Sequence, residues 1–180
     1  GGEFVLHGCK GDTCTPDSFQ PYAIRLGPGE SHSFAPPGGR PTEAAFPYYN
    51  LAMPGGGLIV AIGWPGQWSA TFTRDAESSV QLTGGQERTH FRLLPGEEAR
   101  SPLVALLFWQ GGDWIRAQNV WRRWMVAHNL PRPGGQLVAT HYGSCWSATL
   151  NPSAEEELAI VVGFKREVVQ LDYYFIAAGW

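Results

Sequence analysis

In "QWSATFT" (67–73) the large and small apolar residues Trp68, Ala70 and Phe72 alternate with Ser69, Thr71 and Thr73. That period of two marks an antiparallel strand buried on one face. "RTHFRLL" (88–94) repeats the pattern in part, while "GLIVAIG" (57–63) and "LVALLFW" (103–109) are apolar almost throughout and "SVQLTG" (79–84) is mixed. The segments between them are turn chemistry. "TRDAESS" and "TGGQE" have hairpin-loop lengths, and "LPGE" supplies a Pro-Gly turn before the last strand of the set. Residues 1–110 therefore read as an all-β domain, a sandwich.

Beyond Gly112 the period becomes helical. Trp114, Ala117, Trp121, Trp124, Met125 and His128 fall on one face, Asp113 suits the N-cap, and Pro131 stops the run. This predicts a helix over 114–129 within a linking segment, 111–136, that ends in the connector "PRPGGQ". A strand is predicted over 137–146. A second helix follows, opened by a capping box of Ser153 and Glu156, with Leu158, Val161, Val162 and Val169 turned inward and Gly163 weakening its middle. "LDYYFIAAGW" (171–180) then supplies another strand. Strand, helix and strand from 137 to 180 make one βαβ unit, which requires a parallel pair and implies a larger parallel sheet. An apolar strand at the end of a chain must be covered by something, so the reading expects the natural polypeptide to continue past Trp180.

Composition narrows the function. The 180 residues carry a net charge of -3 without a lysine or arginine stripe, which argues against a nucleic-acid or anionic-membrane partner. No stretch reaches the roughly 18 apolar residues of a membrane span. Eight Trp, 23 Gly and 14 Pro together suggest short strands, tight turns and flat aromatic faces, a profile that suits carbohydrate. Cys9, Cys14 and Cys145 are too few for a disulfide framework; they read as thiols, with a local Cys9–Cys14 disulfide as the alternative. The compartment stays open. No zinc spacing accompanies the cysteines, and neither His128, read as a core or capping histidine, nor His141, in the strand predicted over 137–146, has a metal partner set. No cofactor is implied.

Five ordered segments carry a family resemblance: "FPYYNLAMPGGGLIVAIGWPGQWSATFTR", "LLPGEEARSPLVALLFWQGG", "NVWRRWMVAHNLPR", "GSCWS" and "YYFIAAGW". Together they resemble the front of α-galactosidase-type enzymes of glycoside hydrolase family 36, from about Gly39 to Trp180. The resemblance implies a β-supersandwich followed by an incomplete (β/α)8 barrel, of which residues 137–180 would be strand one, helix one and strand two. It also implies a retaining glycosidase acting on terminal α-galactosides, whose nucleophile and acid/base stand about 5–5.5 Å apart. Both carboxylates belong to later barrel strands, so no catalytic residue is assigned here. The triplet Glu155, Glu156 and Glu157 is explained by the helix dipole and cap.

The remaining candidates bind sugar rather than cleave it. Barrel sites form at the C-terminal ends of strands, and Trp146 matches the family's strand-one tryptophan, whose ring lies against the terminal galactose; a barrel-core aromatic is the plainer alternative. Trp64 and Trp68 flank a Pro-Gly turn and are either presented to substrate or consumed by the sandwich core. Arg40 resembles a family segment that reaches a site, sometimes in a neighbouring subunit, and is otherwise a surface arginine. Where relatives read "IDAGW" this chain reads "IAAGW", so Ala177 replaces an aspartate that accepts hydrogen bonds from sugar hydroxyls. A noncatalytic carbohydrate-binding sandwich, or a module through which subunits assemble as a homo-oligomer, is the competing reading.

Overall fold

The computed structural model describes residues 2–138 and 152–176 and the backbone of 143–144. The chain divides into two units, Gly1–Asn129 and Leu130–Trp180.

The first unit holds eight strands: β1 (Val5–Cys9), β2 (Pro21–Arg25), β3 (Ser31–Phe34), β4 (Tyr48–Met53), β5 (Gly56–Gly63), β6 (Trp68–Arg74), β7 (Val80–Gln86) and β8 (Leu103–Gln110). They form a five-stranded sheet in the order β2-β1-β4-β5-β8 and a three-stranded sheet in the order β3-β6-β7, antiparallel throughout. Turn chemistry sets the register. Met53 pairs with Gly56 across a two-residue Pro54–Gly55 loop, and Gly55 takes φ 82, a left-handed conformation that glycine adopts without a steric cost. Between β6 and β7, Asp75 Oδ1 accepts from the backbone N–H of Glu77 and of Ser79, both at 2.9 Å. Those bonds hold the Asp75 carboxyl below the ordinary aspartate value.

The two sheets face each other over one core. Leu6, Tyr49, Leu51, Val60 and Ile62 from the larger sheet meet Trp68, Ala70 and Phe72 from β6, all at or below 2% exposure. The alternation in β6 is the one its sequence predicts, buried at Trp68, Ala70, Phe72 and Arg74. Arg74 ends that row as a buried cation. Its Nη1 donates to Leu26 O at 2.9 Å and its guanidinium lies 3.9 Å over the Phe4 ring, so a backbone carbonyl and an aromatic face take the place of a carboxylate.

Helix α1 (Trp114–His128) covers the other face of the larger sheet. Asp113 caps it by accepting from Arg116 N at 2.9 Å. Ala117 and Trp121 are buried against Ile59 and Ala61, with Met125, Ala105, Leu107 and Trp109 beside them. β5 is thus covered on both sides, Val60 and Ile62 by the second sheet and Ile59 and Ala61 by the helix. This is why its sequence is a continuous apolar run instead of an alternation. The helix predicted as a bridge packs within the first unit, since the division of the chain comes after it, at Asn129. His128 is exposed in its last turn, its ring 5.5 Å from that of Trp124, and not a core residue.

Two sequence readings need correction in this unit. "RTHFRLL" forms no strand: Arg88 takes φ 53, which breaks the extended path, and Phe91, Leu93 and Leu94 are 55%, 48% and 57% exposed. It leads into a Leu94–Glu97 turn with Gly96 at φ 87. Conversely, β1 to β4 escape the pattern because they are short, and β1, β3 and β4 carry Gly, His, Ser or Asn within them.

The second unit contains β9 (Gly143–Ser144), α2 (Ala154–Arg166) and β10 (Tyr173–Tyr174). β9 and β10 pair in parallel, Tyr173 with Gly143 and Tyr174 with Ser144. The capping box is present, Glu156 N donating to Ser153 Oγ at 3.2 Å and Ser153 N to Glu156 Oε2 at 2.7 Å. Glu157 is buried and accepts from the Tyr174 hydroxyl. The apolar stripe of α2 is not turned into a core. Leu158 and Val162 are 65% and 62% exposed, because a two-stranded ladder of two residues each has too little surface to cover a helix. Leu158 and Val161 instead help line an apolar cavity of about 470 Å³ with Pro152, Ala154, Tyr174 and Ile176.

Candidate functional site

The tight turn after β5 brings the chain through Trp64, Pro65, Gly66 and Gln67 into β6, and this turn organises the loop that bears Arg40. Trp68 has no exposed surface and packs edge-on to Tyr49 at 6.4 Å. Its indole N–H, which could not be buried without a partner, donates to Pro41 O at 2.7 Å. Gln67 works on the same loop from the other side. Its Oε1 accepts from Gly39 N at 3.0 Å, and its Nε2 donates to Pro36 O at 2.5 Å and to Glu87 Oε2 at 2.9 Å. Residues 36–41 are therefore fixed from beneath by two consecutive side chains.

Arg40 stands on that support, its side chain 70% exposed, and its Nη2 and Nε both donate to the Glu43 carboxylate, Nε at 3.3 Å. The pair raises the arginine and lowers Glu43 from their ordinary values. A second loop lies against the first, Asp12 N donating to Thr42 O at 2.7 Å. The Asp12 carboxylate accepts from Cys14 N at 2.8 Å and Ser18 Oγ at 3.0 Å, bonds that lower its pKa with a smaller contribution from the charge of Arg40. The approach of the loops requires glycine at position 11, where a Cβ would fall 2.0 Å from Thr42 O.

The structure thus joins two of the predicted residues, Trp68 and Arg40, through Pro41, and gives them different parts. Trp68 is a core residue that offers no face to a ligand in this chain, because the sandwich consumes both sides of its ring. Arg40 is presented to solvent with its donors partly engaged by Glu43. Trp64 is half-buried at the edge of the core, beside Gly66. Trp146, Ala177, His141 and Cys145 lie outside the described residues. Sequence reasoning missed Gln67, Asp12, Ser18 and Glu43; only Glu43, three residues from Arg40, carries a legible signal, an opposite charge at the end of a turn.

A second concavity, of about 180 Å³, opens on the helix side between His7, Cys9, Tyr48, Gln118 and Trp121. The His7 ring stacks on Trp114 at 3.9 Å and burial lowers its pKa. Cys9 is half-buried and its thiol is pushed up by the same desolvation, whereas Cys14 is exposed; both are free thiols. Among the described residues no group of three or more His, Cys, Asp or Glu side chains could hold a metal ion, and no helix is long and apolar enough to cross a membrane.

An Arg-Glu fork above an aromatic turn can hold a polyol by charge-assisted hydrogen bonds, but it supplies no nucleophile. Comparison with models of known protein families gives no match, and no curated protein matches the chain.

Proposed function

We propose that the chain is the N-terminal portion of a retaining glycoside hydrolase acting on terminal α-galactosides, of the kind found in glycoside hydrolase family 36. In this reading the first unit is its β-supersandwich and the second is the start of its (β/α)8 barrel. The observation that carries the reading is the parallel pairing of β9 with β10 across α2, a local topology that a barrel repeats and a lone sandwich does not contain. The uncovered apolar side of α2 supports it, because barrel helices bury that side against neighbouring units. Five sequence segments in family order support it as well.

The catalytic carboxylates are assigned to strands beyond these 180 residues. Within them, Trp146 is the candidate for contact with the terminal sugar, Arg40 and Trp64 are the sandwich's own candidates for sugar contact, and Trp68 would hold the Arg40 loop. The purified 180 residues should leave an aryl α-galactoside intact, since neither the protonation nor the covalent step has a group to perform it. Extended by the reading frame that follows residue 180, the folded protein should release the chromophore; failure to do so overturns the proposal. A noncatalytic role in binding carbohydrate or in subunit assembly is the second reading, and the open edge at β8 favours assembly.

A further inference from the structure

The concavity between β1, β4, β5 and α1 holds polar groups that the fold does not use. Its lining includes His7, Tyr48, Gln118 and Trp121, and none of these four side chains makes a hydrogen bond among the described residues. Asn50, which also lines it, commits its amide to Trp109 and Trp114. The contrast is sharpest at Trp121, which is 8% exposed and whose indole N–H is buried without a partner. Buried indole N–H groups ordinarily find an acceptor, as those of Trp68 and Trp109 do in this chain. The walls are aromatic. Phe46 meets Tyr48 edge-on at 5.1 Å, and Tyr48 meets Trp121 edge-on at 5.9 Å. No carboxylate, lysine or arginine is among the lining residues, and burial favours the neutral form of His7.

We propose that this concavity is a noncatalytic binding site for one neutral sugar ring. The class of ligand follows from the lining. Aromatic faces with a few convergent polar groups are the ordinary make-up of a small-molecule pocket, and the lack of charged side chains selects a neutral molecule. Gln118, Tyr48 and neutral His7 can each donate and accept, whereas Trp121 only donates. A molecule with several hydroxyls, each both donor and acceptor, can answer all four while its C–H faces lie against the rings. A planar ligand with one or two polar atoms would leave the others unpaired. At about 180 Å³ the space lies below the ~300 Å³ at which pockets for drug-sized ligands begin, so it admits a single ring and not an oligosaccharide. The site is formed within the first unit and shares no side chain with the Arg40 loop. It needs no catalytic carboxylate, so it stands or falls separately from the glycosidase reading.

The isotopically labelled 180-residue chain should be titrated with D-galactose and with D-glucose up to about 50 mM, a range that reaches weak single-ring affinities. The Trp121 indole N–H resonance, identified by its loss in Trp121→Phe, should move and saturate with at least one of the two sugars. That of Trp68, bonded to Pro41 O on the other face of the larger sheet, should stay in place. Gln118→Ala and Tyr48→Phe should each weaken binding by about three- to tenfold without lowering the melting temperature of the free chain, because neither side chain is hydrogen-bonded in it. No movement at Trp121 with either sugar, equal movement at Trp68, or an affinity unchanged in both variants overturns the proposal. Sugar binding by the 180-residue chain with no chromophore release by the extended one would remove the glycosidase reading and uphold this site; the reverse result would do the opposite.

Discussion

The indole N–H of Trp109, on β8, donates to Oδ1 of Asn50, on β4, at 2.9 Å, passing beside β5 to do so. Asn50 is 2% exposed and uses its amide as well, Nδ2 donating to Trp114 O at 3.0 Å. One buried amide therefore joins two strands to the first residue of the helix that covers them.

Asn50→Leu keeps the volume and removes both bonds, leaving an indole N–H and a first-turn carbonyl without those partners. A loss of about 2–4 kcal/mol is expected, read from urea unfolding monitored by circular dichroism. A loss under 1 kcal/mol would mean that water replaces the amide.

Gly57 tests the same joint from the other side. A Cβ there would stand 2.3 Å from the Trp109 ring and 2.3 Å from Leu51 O. The ring could shift, but the carbonyl belongs to the β4 ladder, so Gly57→Ala should cost about 3 kcal/mol and move the Trp109 indole N–H resonance. An unmoved resonance in a stable variant would refute the packing.

Trp68 and Arg40 should separate cleanly. Trp68→Phe keeps an aromatic core and loses the bond to Pro41 O, at about 1–2 kcal/mol, with faster amide exchange at Gly39. Arg40→Ala removes an exposed pair and should leave the urea midpoint close to that of the parent. Equal effects on stability would contradict the division of roles drawn for them.

His7 gives the pH dependence a sign. Its folded pKa lies below the ordinary 6.5 because burial disfavours the cation. Between those two values the unfolded chain binds more protons than the folded one, so stability rises with pH there. The contribution is complete above 6.5 and is lost as pH falls through the lowered value. The His7 Cε1 proton should titrate below 6.5 by NMR, and His7→Phe, which keeps a ring against Trp114, should flatten the stability profile in that window. A midpoint at or above 6.5 would show that the stack favours the cation.

What could be read from the sequence follows from how many faces each segment buries. β6, covered on one side, shows alternation at Trp68, Ala70 and Phe72, and α1 shows its period through Ala117 and Trp121. β5 is legible as a run. The first four strands are not, since they are short and β1, β3 and β4 carry Gly8, His32 and Asn50, the last buried for its bonds to Trp109 and Trp114 from distant parts of the chain. "RTHFRLL" misled for the opposite reason: its alternation has no second strand to meet. At the candidate site the tryptophans and arginine were visible by type, but Gln67 supports the loop through geometry that no local pattern encodes.

Burial of β5 on both faces also bears on the newly made chain. "GGLIVAIG" leaves the ribosome with β4 already behind it, yet β8, which pairs along its other edge, and the helix, which covers one of its faces, follow only some 40 to 60 residues later. Until then an uncharged apolar ribbon with an open edge is available to other chains, the circumstance in which aggregation begins. The β4–β5 hairpin would then act as an intramolecular guard, and its two-residue Pro54–Gly55 turn, by closing early, would govern how much protein reaches the folded state.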